Sequence, residues 1–101
     1  MKSILVIEDH PVMRQKTVSL LTLEGFEVHE AGDGHEGLQA ARTQLPDLIL
    51  CDIMLPGLEG YQVLEQLRAH PATATTPFLF LTARGARADL RAGMNLGADD
   101  Y

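Results

Sequence analysis

Short, dense apolar runs alternate along this chain with longer stretches in which apolar and polar residues mix. Ser3–Ile7 is apolar and rich in β-branched residues, the composition of a strand covered on both faces. Glu8-Asp9-His10 interrupts it, and Pro11 suits the first turn of a helix, where its missing N–H costs nothing. Residues 12–23 mix Val12, Met13, Leu20, Leu21 and Leu23 with Arg14, Gln15 and Lys16, which predicts a helix stopped by Gly25. The run 26–30 alternates apolar and polar, so a more exposed strand near a sheet edge is expected. Asp33 followed three residues later by Glu36 has the spacing of a capping box, opening a helix to about Gln44 that ends before Pro46.

The second half repeats the scheme. Residues 48–51 form another dense apolar strand, 52–59 a loop carrying Pro56 and Gly57, and Gly60–Ala69 a helix closed by His70-Pro71. Residues 77–81 predict a fourth strand, and 84–96 a weaker helix that tolerates Gly93 at a cost of about 1 kcal/mol relative to Ala. Residues 97–100 read as a turn, with Tyr101 where a fifth strand should begin. Alternating strands and helices with short links imply an α/β fold: a doubly wound parallel sheet with right-handed crossovers and helices on both faces. Ligands of such sheets sit beyond the carboxyl ends of the strands, at the switch in strand order. That rule points to Glu8 and Asp9, to Asp52 and to Thr82.

Composition narrows the possibilities. The 101 residues are 46% hydrophobic and 22% charged, which fits one small globular domain spanning 1–101. A net charge of −6 argues against nucleic acid or an anionic membrane surface as the direct partner of this segment. No apolar run approaches the roughly 18 residues of a membrane span. Cys51 stands alone, so no internal disulfide can form, and with no signal-peptide pattern a cytoplasmic location is expected. The four histidines show no zinc-ligand spacing and read as solvent-facing or capping residues.

The chemistry lies in the acidic residues. Three carboxylates from distant parts of the sequence should converge at one sheet end, where like charges repel unless a cation joins them. A hard divalent ion such as Mg²⁺, which takes one or two carboxylates plus phosphate oxygens and water, fits that donor set. Glu8 and Asp9 alone would serve equally as acidic groups at a helix start. Asp52, placed directly after a buried strand, shifts the balance, because a rigidly held carboxylate can attack phosphorus to give an aspartyl-phosphate. Thr82 could donate a hydrogen bond to a phosphoryl oxygen, with the small Ala83 leaving room beside it.

These residues together resemble the CheY-like receiver (response-regulator) domain of two-component signalling. The resemblance rests on Glu8-Asp9 after the first strand, the run Asp52-Ile53-Met54-Leu55-Pro56-Gly57 with Gly60 beyond it, Thr82-Ala83, and Gly97-Ala98-Asp99-Asp100-Tyr101. It implies a flavodoxin-like strand order 2-1-3-4-5. It further implies Asp52 as phosphoacceptor, and Mg²⁺ held by Asp9, Asp52 and the Met54 backbone carbonyl, with Glu8 acting through a water. Thr82 and Tyr101 would form the switch pair. The phosphoryl donor would be a histidine kinase or phosphotransfer protein, and the domain a switch rather than an enzyme acting on other molecules.

By the family's pattern a lysine should lie three residues beyond Tyr101. A receiver truncated at its C-terminal end, lacking most of strand five and the fifth helix, is therefore expected, with weakened phosphotransfer and possible self-association through an uncovered sheet edge. Two alternatives compete. One is a pseudo-receiver that acts only as a protein-interaction module. The other is an aspartate-nucleophile phosphatase, disfavoured because Met54 occupies the position of its general acid. A flavin or nucleotide site would want a phosphate cradle where Glu8-Asp9 stands.

Overall fold

Among the described residues, each dense apolar run becomes a parallel strand, and the longer mixed stretches between strands become helices laid across the sheet. The fold is seen in a computed structural model that describes residues 1–81. Thr82, the expected helix over 84–96 and Tyr101 lie outside the described residues. In chain order the elements are β1 (Ser3–Ile7), α1 (Pro11–Leu23), β2 (Glu27–Ala31), α2 (Gly34–Gln44), β3 (Leu48–Asp52), α3 (Gly60–Ala69) and β4 (Phe78–Leu81). The strands are all parallel and stand in the order β2-β1-β3-β4, which agrees with the doubly wound, flavodoxin-like arrangement as far as the described residues reach.

The strand boundaries follow from where backbone N–H groups are used. β2 begins at Glu27, not at residue 26, because the Phe26 N–H donates to Leu21 O at the end of α1. The ladder opens one residue later, with Glu27 N donating to Lys2 O. β4 begins at Phe78 because Pro77 has no N–H to give, although its carbonyl accepts from Ile49 N. β3 runs one residue further than its apolar run, so that Asp52 pairs in register with Leu81 inside the sheet.

Alternation along the strands splits the sheet into two unequal faces. Leu5 and Ile7 of β1, Ile49 and Cys51 of β3, and Phe78 and Phe80 of β4 point toward α2 and α3 and are buried. Leu38 and Ala41 of α2 and Val63, Leu64 and Leu67 of α3 complete that core. The rings of Phe78 and Phe80 meet edge to face, 5.1 Å apart, and Tyr61 of α3 extends the stack. On the other face Ile4 and Val6 of the central β1 are buried, whereas Leu48, Leu50, Leu79 and Leu81 are half-buried. α1 buries no residue at all, and Val12, Met13, Leu20 and Leu23 are exposed.

Helix ends are set locally. Asp33 caps α2 by accepting from Glu36 N at 2.8 Å, as the spacing predicts. The reciprocal capping box is seen at α3, where Gln62 Oε1 accepts from Glu59 N at 2.9 Å. α1 is capped by His10, whose Nδ1 accepts from Met13 N. α2 closes on Leu45 in the left-handed region (φ 47°), an uncommon conformation for a branched residue.

Candidate functional site

β1 and β3 are neighbours at the sheet centre, and their following connections diverge to opposite faces, leaving a crevice at their carboxyl ends. Glu8 continues the line of β1: its N–H donates to Ala31 O at 3.0 Å, one step beyond the last register pair. Asp9 follows as the chain turns toward α1. Asp52, the last residue of β3, is 3% exposed, so its carboxylate is fixed by the strand rather than carried on a free loop.

The three carboxylates meet. One oxygen from each of Glu8, Asp9 and Asp52 lies within 4.8 Å of the others. Glu8 and Asp52 are buried and Asp9 half-buried. Asp9 Oδ1 is inaccessible to solvent and accepts no hydrogen bond from the described residues. A buried carboxylate oxygen in that condition is costly unless something positive occupies the space before it. Oxygen-only donors of high charge, gathered around one point with an unsatisfied lone pair, suit a small hard cation of the Mg²⁺ type.

The loop after Asp52 frames the pocket. Ile53, Leu55 and Leu58 are buried while Met54 between them is half-exposed, so the loop is anchored on alternate side chains. Met54 N donates to Asp52 Oδ1 across a long 3.4 Å. Gly57 supplies a positive φ of 76° for the turn. Gly60 starts α3 against the backbone: its N–H donates to Ile53 O at 2.9 Å, and a Cβ there would collide with Asp52 O. A side chain at position 60 would thus push directly on the strand end that carries Asp52.

Cys51, a nucleophile beside the pocket, is disarmed by its geometry. Burial raises its thiol pKa well above the usual range, and the negative charges of Asp52 and Glu8 add to the effect. It stays a thiol at neutral pH and packs as a small apolar residue, as expected from its place in the strand.

The sites expected from sequence at Glu8, Asp9 and Asp52 therefore come together, and Met54 lies beside them. Thr82 and Tyr101 lie outside the described residues. Sequence reasoning missed Arg14. Its Nη1 donates to Glu8 O at 2.8 Å and its Nε to Glu30 Oε1 at 3.0 Å, joining α1 to the strand ends behind the pocket. No spacing rule announces such a contact, because one partner is a backbone carbonyl.

Comparison with known proteins agrees with this geometry. Residues 4–101 match the response regulator receiver domain family. The chain is 42% identical over 101 residues to the transcriptional regulatory protein AfsQ1 of Streptomyces coelicolor, covering 100% of this chain and 44% of that protein. A putative response regulator from Chloroflexus aurantiacus superposes with a TM-score of 0.94 at 38% identity, over 99% of this chain and 82% of that one. The chemotaxis protein CheY4 of Vibrio cholerae gives a TM-score of 0.93 at 29% identity, over 99% and 83% of the two chains. The chain spans less than half the length of the curated relatives it matches. Among the described residues no helix is long and apolar enough to cross a membrane.

Proposed function

Given that this chain belongs to the response regulator receiver domain family of two-component signalling proteins, we propose that Asp52 is its phosphoacceptor and that residues 1–101 act as one phosphorylation-controlled unit. The observation that carries the proposal is the convergence of Glu8, Asp9 and Asp52 within 4.8 Å at the strand ends, with Asp9 Oδ1 buried and lacking a donor among the described residues.

In the proposed reaction an Asp52 carboxylate oxygen attacks the phosphorus of a phosphohistidine on a histidine kinase or phosphotransfer protein. The new O–P bond forms as the P–N bond breaks, and the departing imidazole takes up a proton. Mg²⁺ would be held by Asp9, Asp52 and the Met54 backbone carbonyl, with Glu8 acting through a water. When bound, it supplies positive charge against the phosphoryl oxygens. The chain's own residues do the rest. β3 holds the Asp52 carboxylate at the crevice, the buried loop side chains fix the approach, and the Met54 amide restrains the second carboxylate oxygen. The Thr82 hydroxyl and the Tyr101 ring would read the phosphoryl group, making a switch whose only turnover is its own phosphorylation and hydrolysis. A cytoplasmic location goes with a kinase partner of this kind.

Intact mass spectrometry after incubation with acetyl phosphate and Mg²⁺ tests the proposal. A single phosphoryl adduct is expected, absent in Asp52→Asn and absent when the metal is chelated. An adduct that persists in Asp52→Asn would contradict the assignment, and no adduct at all would leave a binding module without phosphotransfer. Steady turnover of phosphate esters would instead indicate a phosphatase.

A further inference from the structure

The carboxylate pocket has a rigid side and a side that must be held in place. Asp52 ends a strand paired on both edges, whereas Asp9 lies where the chain has left the sheet and α1 has not begun. The backbone of Glu8, which leads into Asp9, is hydrogen-bonded on both sides. On its near side the Glu8 N–H donates to Ala31 O at 3.0 Å. On its far side the Glu8 carbonyl accepts from Arg14 Nη1 at 2.8 Å.

Arg14 is itself held at two further points. Its Nε donates to Glu30 Oε1 at 3.0 Å on β2, and its backbone N–H to His10 O at 2.9 Å in the first turn of α1. Room for the guanidinium is left by Gly32, where a Cβ would stand 3.3 Å from Nη1. The planar fork thus spans from β2 to the Glu8 carbonyl with two differently directed donors, which a lysine ammonium on its flexible stem does not reproduce. Glu30 is 53% exposed, so the ion pair in itself is a screened surface contact. Its structural consequence is to orient the fork.

We propose that Arg14 is a positioning residue for the cation site, holding the Glu8–Asp9 peptide so that the Asp9 carboxylate faces Asp52. This rests on the reading of the pocket as a Mg²⁺ site. A guanidinium near an acidic pocket can act in two opposite ways, and the sign separates them. As a mere nearby charge it repels the incoming ion, so its removal would tighten binding. As a positioning group its removal loosens the ligands and weakens binding.

Calorimetric titration of the chain with Mg²⁺, well below the melting temperature of each variant, distinguishes the two. Arg14→Ala and Arg14→Lys are both expected to bind Mg²⁺ about 10-fold more weakly, the scale on which outer-shell partners tune a metal site. Glu30→Gln should show a smaller loss in the same direction. Should Arg14→Ala not fold, Arg14→Lys carries the test, since it keeps the charge and most of the stem. Unchanged or tighter binding in Arg14→Lys, with the wild-type chain binding normally, would overturn the inference alone. A wild-type chain that binds no Mg²⁺ would overturn the reading of the pocket and the inference with it.

Discussion

The two faces of the sheet are covered to different degrees. Toward α2 and α3, contact is apolar and close: Val63, Leu64 and Leu67 are each 0% exposed, against Ile49, Cys51, Phe78 and Phe80 at 1% or less. Burying each large side chain there contributes about 1.5–3 kcal/mol relative to exposure. Toward α1, Ile4 and Val6 of β1 are buried under a helix that has no fully buried residue of its own. The Arg14 fork is the polar tie from that helix to Glu8 O and Glu30, while the His10, Thr17 and Thr22 hydrogen bonds act within the helix and its cap. Asp52 is seated in β3 between Cys51 and Ile53, which pack into the α3-side core, while Asp9 follows Glu8, whose carbonyl is held by the Arg14 fork on the α1 side. Packing makes the acceptor immobile. Directional polar contacts aim the cation ligand, and those can be altered singly without dismantling the core.

The contrast predicts a large difference in mutational cost. Leu64→Ala, on the packed face, should lose about 2–5 kcal/mol in urea unfolding, because the closed surroundings cannot collapse onto the cavity. Leu20→Ala, 65% exposed on α1, should stay within about 0.5 kcal/mol of the parent. Equal losses at the two positions would break the comparison.

A smaller effect is expected at the opposite end of the sheet, where polar ties again do the fastening. Ser3 N donates to Asp47 Oδ2 at 2.7 Å, and Asp47 N to Ser3 O at 2.9 Å, joining the start of β1 to the turn before β3. The Ser3 N–H is the main reason the Asp47 carboxyl titrates below its ordinary value, with Lys2 and the chain's amino terminus adding to it and desolvation opposing. A carboxyl depressed in the folded state stabilises above its unfolded pKa, and that stabilisation fades as pH falls through the folded value. The stability difference between the wild-type chain and Asp47→Asn should therefore be present at pH 6 and narrow below about pH 4. A difference independent of pH would mean that the carboxylate's charge is not what fastens the turn.

How legible these features were follows from how local their causes are. β1, β3 and β4 are announced by dense apolar runs, and the Asp33 cap by a single polar residue before a helix. The convergence of Glu8, Asp9 and Asp52 was readable only through topology, because parallel strands place residues distant in sequence at one edge. What escaped depends on tertiary detail. The left-handed Leu45 precedes Pro46, a position that favours extended backbone, and nothing in its side chain signals a turn. Arg14 reads in sequence as one more polar residue on a helix, and its part in the site comes from a carbonyl and from Glu30 on another element.

The most direct test of the central claim, that three carboxylates form one cation site, is a Mg²⁺ titration followed by amide chemical shifts. Saturable changes concentrated at Glu8, Asp9, Asp52 and Met54, and abolished by Asp9→Asn, are predicted. Weak, unsaturable changes scattered over exposed acidic residues such as Glu24, Glu27 and Asp47 would contradict it.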